Sequence, residues 1–434
     1  MNIINGRVAD QEGTLQFLDG LEKAVSGTLQ SGGITPELVI AAADTLSREL
    51  DGEEPLVLLR ALGLGEERAA AMLLEARQFL SRTYLERKLA RELGPEPFAF
   101  REVEPGIFEK YQPLGVLTHI AAGNAAGLPA FSVLEGLLAG NINLLKLPGH
   151  DDGLSTAILL RLIEIEPVLA DYIYVFDLPS TDAVSIGKML AVSDAAAVWG
   201  SDFAVSGIRS IAPPNLQLIE WGHRLSFAYV TKAGESAEAL IALAEEICLT
   251  EQLLCSSPQC VYYDTDSFEE LAAFAGRLGA ALEAASRKVP PQRLDSGVQA
   301  EITMLLAVSA VQELLVQKKV LKGEGWSIVV DSDRALKPSP MFRTLWVKPL
   351  PQAKIVDVLR GSRGYLQTAG LACATSERNA VSELLFQAGV CRVTPCGEMA
   401  SNYAGEPHDG VSALRRYVKT AVRRDCNFSI GDVV

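Results

Sequence analysis

Beyond residue 111 the chain alternates short apolar runs with stretches of helix length. Gly115-Val116-Leu117-Thr118-His119-Ile120 reads as a buried strand. A helix over about 130–139 and a second strand over 142–147 follow, which makes a βαβ unit. Further strands are predicted at 173–176, 195–199, 217–220 and 227–230. Such alternation implies an α/β fold with a doubly wound parallel sheet covered on both faces. The first hundred residues read as mostly helical. Thr35-Pro36-Glu37 has a threonine cap with proline at the first helical position. One long helix is predicted over about 66–92, stopped by Gly94-Pro95 and Pro97. After a boundary near Ala233-Gly234, a helix over about 236–253 leads into Cys255. A strand at 260–263, a helix over 267–285 and two α/β segments, around 326–330 and 345–386, come next. From Gly405 the tail is polar and basic.

Composition narrows the function. The 434 residues suggest about two or three domains. With 39 Lys+Arg against 54 Asp+Glu the formal charge is −15, which argues against a nucleic-acid partner. Only 6% of residues are aromatic, too few for a base-stacking platform. No apolar run is long enough to span a membrane, and the start lacks the basic-then-apolar pattern of a secretory signal, so a cytoplasmic protein is expected. The seven Cys are odd in number, and the four His have no metal-ligand spacing, so no metal is expected.

Five places carry candidate chemistry. Cys255 lies in a polar turn between helix and strand, where a thiolate could act as nucleophile; the alternative is a small packed hydrophobe. Gly123-Asn124 follows a strand, and Asn124 could donate to an oxyanion or simply sit in a turn. Lys146 ends the next strand, where it could reach a ribose or phosphate, or be solvated. In Trp199-Gly200-Ser201-Asp202, Ser201 could hold a diphosphate or cap a helix. In Glu220-Trp221-Gly222, a carboxylate closes an apolar strand. Partial burial would suit it to general-base work; the alternative is an ion pair with Arg224 or His223. His408 stands in a turn, Pro407-His408-Asp409-Gly410, with a structural or an acid–base role equally open.

Taken together and in this order, these segments resemble the aldehyde dehydrogenase superfamily. Within it the chain is most similar to acyl-CoA reductases of the bioluminescence fatty-acid reductase (LuxC-like) type. The segments that carry this are His119–Asn124, Leu144-Leu145-Lys146, Val198-Trp199-Gly200, Cys255-Ser256-Ser257-Pro258-Gln259 and Pro407–Gly410. The resemblance implies a Rossmann-type cofactor domain over 1–232, a catalytic domain over 233–400, and a returning, oligomerising segment over 401–434. It implies that Cys255 attacks an acyl-CoA or other activated acyl donor, that Asn124 completes an oxyanion hole, and that a nicotinamide cofactor reduces the acyl-enzyme to aldehyde. Gly123, Lys146, Gly149, Trp199, Gly200, Ser201, Trp221 and Gly222 would contact that cofactor. Glu220 would assist proton transfer rather than activate water, since hydrolysis wastes an acyl-enzyme. A homo-oligomer and an acyl-transferring partner enzyme are implied as well.

Two departures from the family pattern matter. Where an acidic residue usually follows the lysine by three positions stands Gly149, which predicts NADPH over NADH. The Glu-x-Phe-Gly-Pro cofactor motif is replaced by Ser339-Pro340-Met341-Phe342-Arg343-Thr344. The competing readings are an aldehyde dehydrogenase running toward the acid, an acyl-phosphate reductase, and a catalytically silent homologue. The basic run Arg415, Arg416, Lys419, Arg423 and Arg424 is expected to offset the negative charge near anionic ligands.

Overall fold

The structure, a computed structural model, describes residues 1–61, 65–122, 127–149 and 153–425. The chain divides into two compact units: Met1–Gly222 with the segment from Tyr403 onward, and His223–Asn402.

The first unit is built on a seven-stranded sheet. Its five parallel strands run in the order Ile173–Phe176, Ile142–Lys146, Val116–Ile120, Ala195–Trp199, Gln217–Trp221. The hairpin Asn2–Ile4/Arg7–Ala9 adds an antiparallel edge through Ile3 and Val175. The three central strands are buried almost end to end, as a parallel sheet covered on both faces requires. The fold class expected from the apolar runs is therefore the one observed.

One expectation for this unit is corrected. The helix read over 66–92 is two helices, Glu66–Leu80 and Arg82–Leu93. Ser81 adopts extended backbone (φ −66°, ψ 143°) and its Oγ accepts from Tyr84 N, so a serine that could sit mid-helix caps the second helix instead. The basic tail is largely held in an ordered strand, and Arg415, Lys419, Arg423 and Arg424 stay exposed along the tail. Val418–Arg424 is a strand pairing antiparallel with Ile107–Pro113, which also pairs with Arg101–Glu104. Arg423 lies 4.7 Å from the ring centres of Phe100 and Phe108, and Arg415 Nε donates to Glu92 O at 2.5 Å.

The second unit holds another seven-stranded sheet, parallel except for the edge hairpin Lys318–Gly323/Trp326–Asp331. Leu225–Val230 lies inside it, between Pro258–Tyr263 and Leu366–Ala372. The units accordingly divide before that strand, not after it at 232/233 as the sequence suggested. Alternate residues of its strands feed two separate cores: Ala228, Val230 and Val261 on one face, Phe227, Tyr229 and Tyr262 on the other. Among the described residues no helix is long and apolar enough to cross a membrane.

Candidate active site

In the first unit the strand order reverses between Val116–Ile120 and Ala195–Trp199. Ligands of open α/β sheets bind outside the carboxyl ends of the strands at such a switch point. The structure brings the expected cofactor residues to this edge. Lys146 closes its strand beside Ile120, and Trp199 and Trp221 are register partners that close theirs. Gly149, Gly200, Ser201 and Gly222 follow directly. Gly123 and Asn124 lie outside the described residues, so the oxyanion donor has no structural account.

Lys146 is not solvated. It is 2% exposed, and its Nζ donates to Ser180 Oγ at 2.9 Å. Burial pushes its amine below the usual lysine range, partly opposed by the Asp177 carboxylate. Ser201 caps the helix Asp202–Ile211, accepting from Ala204 N at 3.4 Å. Gly200 has φ +154°, and a Cβ there would meet Ala204 Cβ at 3.1 Å. Gly149 is exposed, with open space where a Cβ would stand.

The tryptophans pack on each other rather than lining an open surface. Their rings stack at 5.2 Å, and the His408 ring sits edge-on to both. Trp221 is 2% exposed, and the Arg416 guanidinium lies 4.7 Å from its ring centre. This gives His408 a packing role in the described structure. Glu220 is partly buried: its side chain is 30% exposed and its Oε1 accepts from Arg209 at 2.5 Å. The ion partner is thus Arg209, eleven residues back on the preceding helix, rather than Arg224 or His223.

Beneath this edge runs a fully buried polar chain. Asn143 Nδ2 donates to Asn141 O at 2.7 Å, which turns Asn143 Oδ1 toward His119 Nε2 at 3.0 Å. Nε2 therefore carries the ring proton, and Nδ1 accepts from the Ser132 hydroxyl at 2.8 Å. Ser132 Oγ in turn accepts from Trp199 Nε1 at 3.2 Å. A Cβ at Gly136 would lie 1.8 Å from Asn143 Oδ1, so only glycine fits against this chain. Burial lowers the His119 imidazole to about 4, from an ordinary value of 6.5. The unfolded chain takes up this proton first as pH falls, so stability is full above about pH 6.5 and drains away toward pH 4, by roughly 3 kcal/mol at most. Urea midpoints of the parent and of His119→Asn across pH 4–7 check this: the parent is expected to lose stability more steeply. Parallel pH profiles would refute it.

In the second unit Cys255 is exposed in a turn whose backbone is tightly specified. The preceding helix, Ala237–Thr250, ends in two consecutive left-handed residues, Glu251 (φ +51°) and Gln252 (φ +62°). Such conformations cost non-glycine residues and persist only where the surroundings fix them. Here Gln252 Nε2 donates to Pro258 O at 2.8 Å, and Ser226 Oγ donates to Cys255 O at 2.7 Å. Ser257 Oγ lies 3.1 Å from Thr250 Oγ1. Glu251 meets the fully buried Arg343.

Sequence reasoning missed Arg343, Glu251 and the Ser132–His119–Asn143 chain. Arg343 and Glu251 are 92 residues apart, so spacing offers no signal.

The geometry can be set beside known proteins. The family profile described as acyl-CoA reductase (LuxC) matches residues 37–420. The chain is similar to the long-chain acyl-protein thioester reductase of Aliivibrio fischeri, 23% identical over 75% of this chain and 67% of that protein. It is likewise similar to the enzyme of the same name from Vibrio harveyi, 24% identical over 74% of this chain and 67% of that one. The matched stretch thus spans about two thirds of these relatives. Among solved structures, a betaine aldehyde dehydrogenase mutant from Staphylococcus aureus in complex with NAD+ superposes with TM-score 0.75 at 13% identity, covering 100% of this chain and 96% of that one. Aldehyde dehydrogenase 21 from Physcomitrella patens does so with TM-score 0.74 at 14% identity, covering 100% and 96%. The fold is that of the aldehyde dehydrogenases, and the profile match over most of the chain makes it a member of the LuxC acyl-CoA reductase family, an oxidoreductase lineage.

Proposed function

We propose that this chain reduces a long-chain acyl thioester, carried on coenzyme A or on a protein, to the aldehyde by way of an acyl group held on Cys255. The observation that carries the reading is an exposed cysteine in a backbone-strained turn, within a family whose relatives are named acyl-protein thioester reductases. The Cys255 thiolate attacks the acyl carbonyl carbon; the carbon–sulfur bond to the carrier breaks, and the carrier leaves as its thiolate. Asn124 is proposed as the side-chain donor to the carbonyl oxygen during attack. After hydride addition the bond to Cys255 Sγ breaks, which releases the aldehyde and restores the Cys255 thiolate.

The first unit fits a nicotinamide cofactor. It offers a switch-point edge, a turn at Gly200 whose φ of +154° favours glycine, and a strand-end Lys146. A bound reduced nicotinamide supplies the hydride for the acyl carbon. Lys146 is assigned to its ribose and Gly200 with Ser201 to its diphosphate. Open space at Gly149 supports NADPH over NADH, because no carboxylate side chain at that position opposes a 2′-phosphate.

The test incubates the purified chain with a long-chain acyl-CoA and with the same acyl group on a protein thiol, each with NADPH or NADH. Aldehyde and oxidised cofactor are expected in equal amounts, with a higher kcat/KM for NADPH. A preference for NADH overturns the cofactor assignment. Acid formed from aldehyde, with no aldehyde formed from either thioester, overturns the reductase reading in favour of an aldehyde dehydrogenase running toward the acid.

A further inference from the structure

Two turns of the second unit are locked together by a single buried ion pair. Arg343 is 0% exposed and the Glu251 side chain 3%. Arg343 Nε and Nη2 both donate to Glu251 Oε1, at 3.0 and 2.7 Å. Nη1 also donates to Ser286 Oγ at 3.2 Å, and Nη2 lies 3.1 Å from Cys248 O and 3.2 Å from Pro290 O. The main chains are joined as well, since Phe342 N donates to Glu251 O at 2.9 Å.

Five non-glycine residues at this junction hold positive φ: Glu251 and Gln252 on one side, Met341, Phe342 and Arg343 on the other. Strain of this kind needs an anchor that over-determines the backbone. A guanidinium fork buried with its acceptors in fixed directions is such an anchor, and a flexible ammonium is not. Glu251 lies four residues before Cys255.

We infer that Arg343, through Glu251, is a positioning residue that fixes the Cys255 turn and the Met341–Arg343 turn in one arrangement. Its effect is on how well the thiol is placed for attack, beyond holding the unit folded. The inference rests on Cys255 being the nucleophile. Misplacing a reacting group by about an ångström costs on the order of 10²-fold in rate.

The experiment uses Arg343→Met, Arg343→Lys and Glu251→Gln in the full chain, with circular dichroism and thermal melts to establish the folded range. Within that range, kcat and KM are measured together with the single-turnover rate of Cys255 acylation, followed by intact mass. For Arg343→Met the acylation rate and kcat are expected to fall about 10²-fold with KM within a factor of about two. Arg343→Lys, which keeps the charge and loses the fork, should fall between parent and Met. If Arg343→Met does not fold, Glu251→Gln decides, with an expected loss of about 10-fold in kcat. Parent-like acylation in a variant that only melts earlier would overturn the inference, since that is what a purely structural pair would give. Full rescue by lysine would overturn the role of the fork. Turnover retained by Cys255→Ala would instead show that the nucleophile itself is wrong, a distinct result from parent-like acylation in the Arg343 and Glu251 variants.

Discussion

Cys255→Ala is expected to lower aldehyde formation by roughly 10³-fold or more, because a covalent route cannot run without its nucleophile. The thiol is exposed, so its removal leaves no cavity, and the melting temperature should stay close to that of the parent. Intact mass after mixing with a long-chain acyl-CoA provides the direct check. The parent gains one acyl group and the variant gains none. Cys391 is exposed too, and a label there in both proteins would be background rather than the intermediate. Parent-level turnover by Cys255→Ala would sink the assignment.

The largest effect on stability is expected at Lys88. Its ammonium is buried between two carboxylates, Glu92 at 2.7 Å and Glu135 at 2.8 Å. The Glu92 side chain is 0% exposed, and its Oε2 also accepts from Leu414 N at 2.8 Å. Lys88→Met keeps the apolar stem and deletes the charge, leaving the enclosed Glu92 and the partly exposed Glu135 without their shared cation. Removing one member of a buried ion pair typically costs about 3–5 kcal/mol. Burial already raises the Glu92 carboxyl above the usual range, with Lys88 opposing that rise. Without Lys88 it rises further. A carboxyl raised in the folded state favours folding as pH falls, so the deficit of the variant should shrink between neutral pH and about pH 5. Urea titrations of parent and variant at both pH values measure this. A deficit below about 1 kcal/mol, or one that widens in acid, would contradict it.

What the sequence revealed follows from how much local signal each feature carries. Central parallel strands such as Val116–Ile120 and Ile142–Lys146 are continuous apolar runs and stand out. Edge elements do not. Val418–Arg424 is mostly exposed and carries lysine and arginine, so it reads as a basic tail. The helix Ser296–Gln312 was not anticipated either; its apolar residues run round the helix, giving no periodic stripe. At the site, residue types at strand ends were legible, but cross-strand register was not. Nothing local shows that Trp199 and Trp221 are register partners that stack. Glu220 found a helical arginine instead of its sequence neighbours for the same reason.

The discontinuity of the first unit bears on how the protein is made. Its three-stranded sheet needs Val418–Arg424 to pair with Ile107–Pro113, and its core includes Leu414 and Tyr417, both 0% exposed. On the ribosome, the stretch His223–Asn402 is continuous and can finish folding as soon as it emerges. The unit that began first must close last. Until then it carries an unfilled apolar groove and an open strand edge, the features that chaperones and aggregation both recognise.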